Sequence, residues 1–386
     1  MWGMADRNPF HYGSPVTGDE FTGREQELQA IVGLMQSSIN VALISPRRYG
    51  KTSLLEEAVI ALERATPKPA VIAVNALECV DFVAFASKVV TEAYHMPGMQ
   101  WRRMRQSAEE FMKRFRVQPT FTVDHLNRLA FSLTPSLAAK DGVQVVEDVY
   151  QLLNEAAATR PAVLIIDEFQ DVLRFNDRLP YVLKALSDQN PDVCLIVAGS
   201  QQHLMSRLVI SEHAPLYGMT ERIGLRPIPT DEMIPYLVER AATGKKRLTL
   251  EAAQLIVDIA GPVPNDIQRM AYQAFELADR TIDGGTVDSA RQVIVDHESH
   301  LFEERLQRLT ASQERVLRAL AGGSHASVGS ARFAREVGLA TATSVHRTLE
   351  ALEKAELITR RDRRWGLVDP FFAKWLERIR RDGSSD

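Results

Sequence analysis

Residues 41–56 read Val-Ala-Leu-Ile-Ser-Pro-Arg-Arg-Tyr-Gly-Lys-Thr-Ser-Leu-Leu-Glu, and no other stretch limits the fold so tightly. The apolar run Val41 to Ile44 reads as a buried strand. Thr52 onward, with Leu54, Leu55 and Val59, reads as a helix. Between them Ser45-Pro46-Arg47-Arg48-Tyr49-Gly50-Lys51-Thr52 spans the eight positions of a phosphate-binding loop. In such a loop backbone N–H groups wrap phosphate oxygens, and the helix N-terminus favours their negative charge. Lys51 is placed to reach the β- and γ-phosphates and the Thr52 hydroxyl to ligate Mg²⁺. Pro46, Arg47, Arg48, Tyr49, Gly50 and Ser53 complete the candidate cradle. One departure is visible: the usual loop opens with Gly, and here that position is Ser45. A chance Gly-Lys-Thr at a helix start is the plain alternative, which the flanking strand and helix oppose.

A second run, Val163-Leu164-Ile165-Ile166-Asp167-Glu168-Phe169-Gln170, ends four apolar residues in two adjacent carboxylates. A parallel strand buried on both faces is continuously apolar, and ligands sit at its carboxyl end. Asp167 is the candidate to hold Mg²⁺, and Glu168 the candidate to orient or deprotonate an attacking water. Taken alone, Asp-Glu is equally well a solvated strand end. A third apolar run, Val193 to Ala198, ends in Gly199-Ser200-Gln201. In a parallel sheet Ser200 or Gln201 comes beside the other two loops, placed to sense the γ-phosphate; a plain Ser N-cap explains the same residues.

The 386 residues suggest two or three domains, and 45% hydrophobic residues suffice for real cores. A net charge of −4 gives no overall bias toward nucleic acid, although the C-terminal end is richer in Arg. Two cysteines, Cys79 and Cys194, argue against a disulfide framework or a structural zinc and fit a reducing cytosol. The N-terminus lacks the apolar core of a signal peptide, and no apolar run approaches the ~20 residues of a membrane helix.

Strands expected near 40–45, 70–75, 162–167, 193–198 and 222–226 alternate with helices, which implies a mostly parallel α/β sheet covered on both faces. Residues 8–25 form a Gly- and Pro-rich loop with aromatic anchors, followed by a helix over about 25–37. Residues 95–140 interrupt the rhythm as an expected helical insertion. Its basic run Arg102-Arg103-Met104-Arg105 suits nucleic acid, an acidic partner or simply a solvated helix face. From Thr230, read as an N-cap, the pattern turns helical, with helices near 231–241, 249–260, 265–279 and 287–298. Asp283-Gly284-Gly285 reads as a turn. Residues 308–381 predict three helices and a two-stranded wing, a winged helix-turn-helix. The domain boundaries expected are 1–229, 230–300 and 301–386. Thr343, Ser344, His346 and Arg347 lie on the candidate recognition helix, and Arg360 to Arg364 carry basic charge into the wing. Glu350, Glu353 and Glu356 oppose phosphates there, and winged helices also serve as protein-packing modules.

In order, Asn8-Pro9-Phe10, Phe21-Thr22-Gly23-Arg24-Glu25, Pro46 to Leu54 and Ile166-Asp167-Glu168 resemble the archaeal-type ATPases. These are P-loop proteins of the STAND group, close to AAA+ and to archaeal origin-recognition ATPases. The likeness continues through Pro215-Leu216-Tyr217-Gly218, Gly261 to Gln268 and Leu367 to Leu376, and covers about residues 8–380 apart from the insertion. It implies an AAA+-like P-loop sheet domain, a helical lid and a C-terminal winged helix that reports the nucleotide state. It implies ATP as the nucleotide, with Pro264 against the base or ribose. Met219 stands where Tyr-Gly is often followed by Arg, so Arg222 is the nearest candidate for an arginine supplied in trans by a self-associated subunit. Gln268 then Arg269 leave open a lid arginine on the γ-phosphate. The implied activity is ATP hydrolysis by a cytosolic switch with an unknown protein partner. An ATP-controlled DNA-binding initiator or regulator, and a nucleotide-binding scaffold with little turnover, stand beside it.

Overall fold

The computed structural model describes residues 8–96, 113, 117–123, 129–135, 141–322, 328–361 and 364–382. They fall into two compact units, Ser14–Ile228 and Pro229 onward, the latter joined by residues 8–13.

The first unit is built on five parallel strands: β1 (Val41–Ile44), β2 (Ala70–Asn75), β5 (Ala162–Asp167), β6 (Val193–Gly199) and β7 (Glu221–Gly224). Between β2 and β5 in the chain lie two further strands, β3 (Val117–Val123) and β4 (Leu129–Pro135). The sheet order is β2-β5-β6-β1-β7. Every residue of β5 and β6 is buried, which is why these runs are unbroken by polar residues before their ends. The edge strand β7 is mostly exposed and reads accordingly, Glu-Arg-Ile-Gly. Helices Phe82–His95 and Asp141–Ala157 supply Phe85, Val89, Val149 and Tyr150 to one core with Ile72, Leu164 and Leu195. Burial of each such side chain is worth about 1.5–3 kcal/mol.

β3 and β4 pair antiparallel from Val117↔Pro135 to Val123↔Leu129. The expected helical insertion is therefore a hairpin in this part. The physical reason lies in the residues: Val, Thr and Phe alternate through 117–123 and favour a pleated ribbon. Arg102, Arg103 and Arg105 lie outside the described residues.

The second unit opens with helices Thr230–Thr243, Leu250–Ala260, Pro264–Leu277 and Gly284–Gln307. Thr230 is the first helical residue rather than the cap, which is Pro229. Asp283 is the true cap of its helix, accepting from the Thr286 N–H, so Gly284 and Gly285 begin the helix instead of making a free turn. Two short strands, β8 (Arg247–Leu248) and β9 (Thr281–Ile282), pair in parallel. Residues 8–13 strap this unit. Asn8 donates to the Tyr272 carbonyl at 3.0 Å, Arg240 donates to the Pro9 carbonyl at 2.6 Å, and Phe10 is fully buried against Phe275.

The chain closes with helices Ala311–Ala321, Ala331–Glu336 and Ala342–Lys354, then β10 (Ile358–Arg361) and β11 (Arg364–Leu367), then helix Pro370–Asp382. β10 and β11 pair antiparallel, so the three helices and wing expected from sequence are present. Thr310 and Gln313 form a capping box at the first helix. Phe302, Phe372 and Trp375 cluster with centroids 5.2–6.0 Å apart, and the Arg305 guanidinium lies over the Phe372 ring. Phe302→Ala should remove about 3–5 kcal/mol. Urea unfolding followed by tryptophan fluorescence checks this, because Trp365 and Trp375 belong to this unit. An unshifted transition would show that the cluster contributes little.

Candidate functional site

Parallel pairing puts the carboxyl ends of β1, β6 and β5 on one edge of the sheet, with β6 in the middle. Ile44 is level with Gly199, and Ile166 with Val197. The loops that follow these strands therefore begin side by side: Ser45 onward, Ser200 onward, and Glu168 onward.

The loop after β1 turns through two left-handed residues, Arg48 (φ 67°) and Gly50 (φ 83°), before helix Lys51–Glu63 begins. Ser45 is not among the residues with positive φ, so the first loop position does not demand glycine here. Its N–H instead donates to the Gly199 carbonyl at 3.3 Å, stitching the loop to β6. Pro46 is half-buried, Arg47 and Arg48 are exposed, and Tyr49 is buried. Ser53, one residue past Thr52, is buried and accepts the Val16 N–H at 3.1 Å. Glu57 on the same helix accepts the Gly18 N–H at 2.7 Å, so residues 16–18 are laced along it.

Lys51 is buried, and its ammonium lies 2.7 Å from Asp167 Oδ1 and 2.7 Å from Glu168 Oε1. The Thr52 hydroxyl donates to Asp167 Oδ2 at 2.7 Å. Glu168, itself in left-handed backbone (φ 48°), turns its N–H onto Asp167 Oδ1 at 2.8 Å. Its Oε2 accepts from Ser200 Oγ at 2.8 Å and from Gln170 Nε2 at 2.6 Å. Burial alone pushes the Glu168 carboxyl up. The Lys51 charge and the hydrogen bonds from Lys51, Gln170 and Ser200 outweigh it and hold the group below the usual carboxylate range. Glu56, one turn along the helix, is pushed up by burial and by the Asp167 charge, so acidity is crowded here.

Sequence-selected Lys51, Thr52, Asp167, Glu168 and Ser200 thus come together in one cluster. Arg222 does not join it. It lies opposite Ala42 on β7, two residues short of the strand's carboxyl end, with its side chain exposed. Pro264 is the first residue of helix Pro264–Leu277 in the second unit. Arg269 pairs with Glu298 at 2.7 Å, with its guanidinium over the Phe371 ring.

Two members were not singled out from sequence. Arg24 is buried and donates from Nη2 to the Tyr49 carbonyl at 3.2 Å, while Nη1 pairs with Glu27. The carbonyl so held belongs to the residue between the two left-handed ones. Gln170 is the second, with a buried amide that bridges Glu168 and Asp171. Its signal in sequence was faint: Gln170 follows the Asp167-Glu168 pair by two residues and sits beside another polar residue, Asp171.

The donor set suits a hard divalent ion. Mg²⁺ keeps several waters and takes one or two protein oxygens plus substrate phosphates. Thr52 and Asp167 offer a hydroxyl and a carboxylate oxygen 2.7 Å apart. Among the described residues no group of three or more His, Cys, Asp or Glu is arranged to hold a metal, and a Mg²⁺ shared with phosphates needs none.

Residues 21–270 match the family described as "ATPase domain predominantly from Archaea", and residues 300–378 match a "probable winged helix domain". No curated protein matches the chain in sequence. Among solved structures, the Walker-type ATPase paby2304 of Pyrococcus abyssi is similar at 18% identity. The match covers 96% of this chain and 99% of that one, with a TM-score of 0.65. The Aeropyrum pernix ORC2 protein, solved as ADPNP-ADP complexes, is similar at 15% identity over 99% of both chains, with a TM-score of 0.59. At these identities the likeness concerns the fold.

Arg24→Met should lower stability by about 1.5–3 kcal/mol, the worth of a hydrogen bond to a charged group. It should also speed amide hydrogen exchange at Gly50 to Thr52 more than in β5 or β6. Equal exchange in loop and strands would show that Arg24 does not support the loop.

Proposed function

The chain belongs to the family of ATPase domains found predominantly in Archaea, and we propose that it is a Mg-ATP-hydrolysing molecular switch of the STAND type. The observation that carries this reading is the buried Lys51 ammonium shared by Asp167 and Glu168, with Thr52 on the far oxygen of Asp167. One lysine, one hydroxyl and two carboxylates at the mouth of a phosphate loop make up a triphosphate site in waiting. The nucleotide phosphates lie along the backbone of Pro46 to Ser53, and Lys51 shifts from the carboxylates to the β- and γ-phosphates. Thr52 and Asp167 would hold Mg²⁺, which would supply neutralisation of phosphate charge when bound. Glu168 accepts a proton from a water whose oxygen bonds to the γ-phosphorus as the bond to the bridging oxygen of ADP breaks. Ser200 steadies the Glu168 carboxylate and directly follows β6, the strand next to β1, as suits a γ-phosphate sensor. Pro264 contributes to the base or ribose side, and ADP and phosphate are the products.

In this reading the nucleotide state is relayed to the winged helix and thence to a protein partner in the cytoplasm. No helix among the described residues is long and apolar enough to cross a membrane. A second reading, ATP-controlled DNA binding, is favoured by a specific feature: Arg347, Arg360 and Arg364 are all exposed on the winged helix. His346 on the same helix lies 3.6 Å from Glu350, an acidic neighbour that opposes phosphate contact there. A pull-down in ATP against ADP, with nuclease treatment, separates the two. Nucleotide-dependent capture that survives nuclease supports the protein-partner switch, and capture lost with nuclease supports the DNA reading.

Lys51→Ala should cost about 2–5 kcal/mol of triphosphate binding, by analogy with truncation of a buried charge pair. Glu168→Gln should keep Mg-ATP binding and slow hydrolysis by about 10²–10⁴-fold. Asp167→Asn should instead weaken binding and its Mg²⁺ dependence. Titration with a fluorescent nucleotide and a phosphate-release assay read both quantities. Wild-type turnover by Glu168→Gln, or wild-type affinity in folded Lys51→Ala, would refute the site.

Arg222 completes the proposal as an arginine supplied in trans, worth about 10³–10⁵ in rate where such a residue acts. Its exposed place on the edge strand, away from its own phosphate loop, suits presentation to a neighbouring subunit. Specific activity should then rise with protein concentration. Mixing Arg222→Ala with Lys51→Ala subunits should restore part of it, since each supplies what the other lacks. Activity independent of concentration, with no rescue, would leave Arg222 structural and the ATPase monomeric.

A further inference from the structure

Gln170 is 2% exposed and makes no contribution to a core that an apolar residue of its size would not make better. Its amide nitrogen faces two carboxylates, Glu168 Oε2 at 2.6 Å and Asp171 Oδ2 at 3.0 Å. Only an NH₂ group tolerates that position, so the amide cannot flip. The consequence is visible on its other side. Gln170 Oε1 is buried with no hydrogen-bond partner among the described residues, a cost accepted to keep the nitrogen on the acids. The oxygen sits where Gly199 leaves room: a Cβ there would come 2.4 Å from Oε1 and 2.4 Å from Met205 Sδ. The last residue of β6 is thus a glycine for a local reason, the close approach of two side chains, Gln170 and Met205.

We propose that Gln170 is a positioning residue for the water-activating carboxylate: with Ser200 it anchors Glu168 by Oε2, so that Oε1 is the atom that takes the proton. The proposal deepens, and rests on, the ATPase reading above. Its ground is the division of partners between the two oxygens. Oε2 holds two neutral donors from flanking loops, Gln170 and Ser200. Oε1 holds the Lys51 ammonium. A triphosphate in the loop competes for Lys51 and, through its γ-phosphate, for the Ser200 hydroxyl, but not for Gln170, whose amide is held between Glu168 and Asp171. Arrival of the nucleotide therefore frees Oε1 while Gln170 keeps Oε2 fixed, and a carboxylate pinned at one oxygen presents the other in a defined direction. Asp171 holds the far hydrogen of the Gln170 amide and is itself paired with Arg174 at 3.3 Å, so the support extends outward from the site.

The test uses the full chain and three variants. Gln170→Leu removes both donor contacts at nearly the same volume. Gln170→Glu keeps the shape and sets a third carboxylate against Glu168 and Asp171. Gly199→Ala leaves Gln170 in place chemically but crowds its oxygen. Expected for Gln170→Leu is a kcat lower by about 10–100-fold, the scale of a misplaced catalytic group, with the Kd for a fluorescent ATP analogue within about twofold of wild type. Crystals of the nucleotide-free variant should show Glu168 moved off Ser200 Oγ. Gln170→Glu should behave likewise if the leucine variant fails to fold, and Gly199→Ala should lower kcat in the same sense. A variant that loses Gln170, keeps Glu168 on Ser200 in the crystal and turns over at the wild-type rate overturns the proposal. A wild-type chain that binds the analogue without hydrolysing it sinks the ATPase reading alone, since the crystal comparison still decides whether Gln170 holds Glu168.

Discussion

A buried ammonium between two carboxylates is the contact on which the rest of this site depends. Lys51 opens the helix after β1, while Asp167 and Glu168 stand at the end of β5 with β6 between, and none of the three is tolerable alone at this depth. Removing one partner from such a group leaves an uncompensated buried charge, which costs far more than the pair gains when intact. The cluster therefore fixes the register of β1 against β5 through β6, because a one-residue slip turns every side chain to the opposite face. Arg24 acts on the phosphate loop from outside, by holding the Tyr49 carbonyl between two residues in left-handed backbone.

Much of this was legible from sequence because the chemistry sits at strand ends. Continuous apolar runs gave β1, β5 and β6, and the polar residue that stops each run is a site residue: Ser45 leading to Lys51, Asp167, Ser200. Parallel pairing does the remaining work of bringing those ends together. What failed to show was of a different kind. Arg24 acts on a loop 25 residues away, through a backbone oxygen that no side-chain pattern marks. Gln170 acts two residues from Glu168, but only because Glu168 adopts left-handed backbone and a tight helical turn follows, which residue type does not foretell. The hairpin at 117–135 was obscured by the basic, helix-favouring residues before it, although its own Val, Thr and Phe point to strands. Ser45 looked like a defect only under the assumption that the first loop position needs positive φ, which this loop does not use.

The second unit follows another logic. Its helices carry caps at Thr249, Asp283, Thr310, Ser330 and Thr341, each accepting from a backbone N–H in the first turn. Short helices of this kind gain little from propensity alone, and caps of about 1 kcal/mol each are a large share of what fixes their ends. Arg269 and Arg305 then tie the helices to the closing segment, one through Glu298 and Phe371, the other through Asp369 and Phe372. The arginine that the family resemblance left open for the γ-phosphate is thus engaged inside its own unit. Any role it has at a nucleotide requires giving up an ion pair and a ring contact together.

Charge balance at the site sets a further condition on the ligand. Lys51 is one cation set against two carboxylates, Asp167 and Glu168. A triphosphate entering alone would bring several negative charges to a cluster already short of positive ones. Arg47 and Arg48 are exposed at the loop and offset part of this, with the weaker force of charges in water. Like charges brought within about 4 Å repel by roughly 4 kcal/mol at the effective dielectric of a partly exposed site. The cluster therefore favours a nucleotide that arrives with its divalent ion over one that arrives bare. In the proposed reading Thr52 and Asp167 would hold that ion, so its charge would enter where the Asp167 and Glu168 carboxylates are already close together.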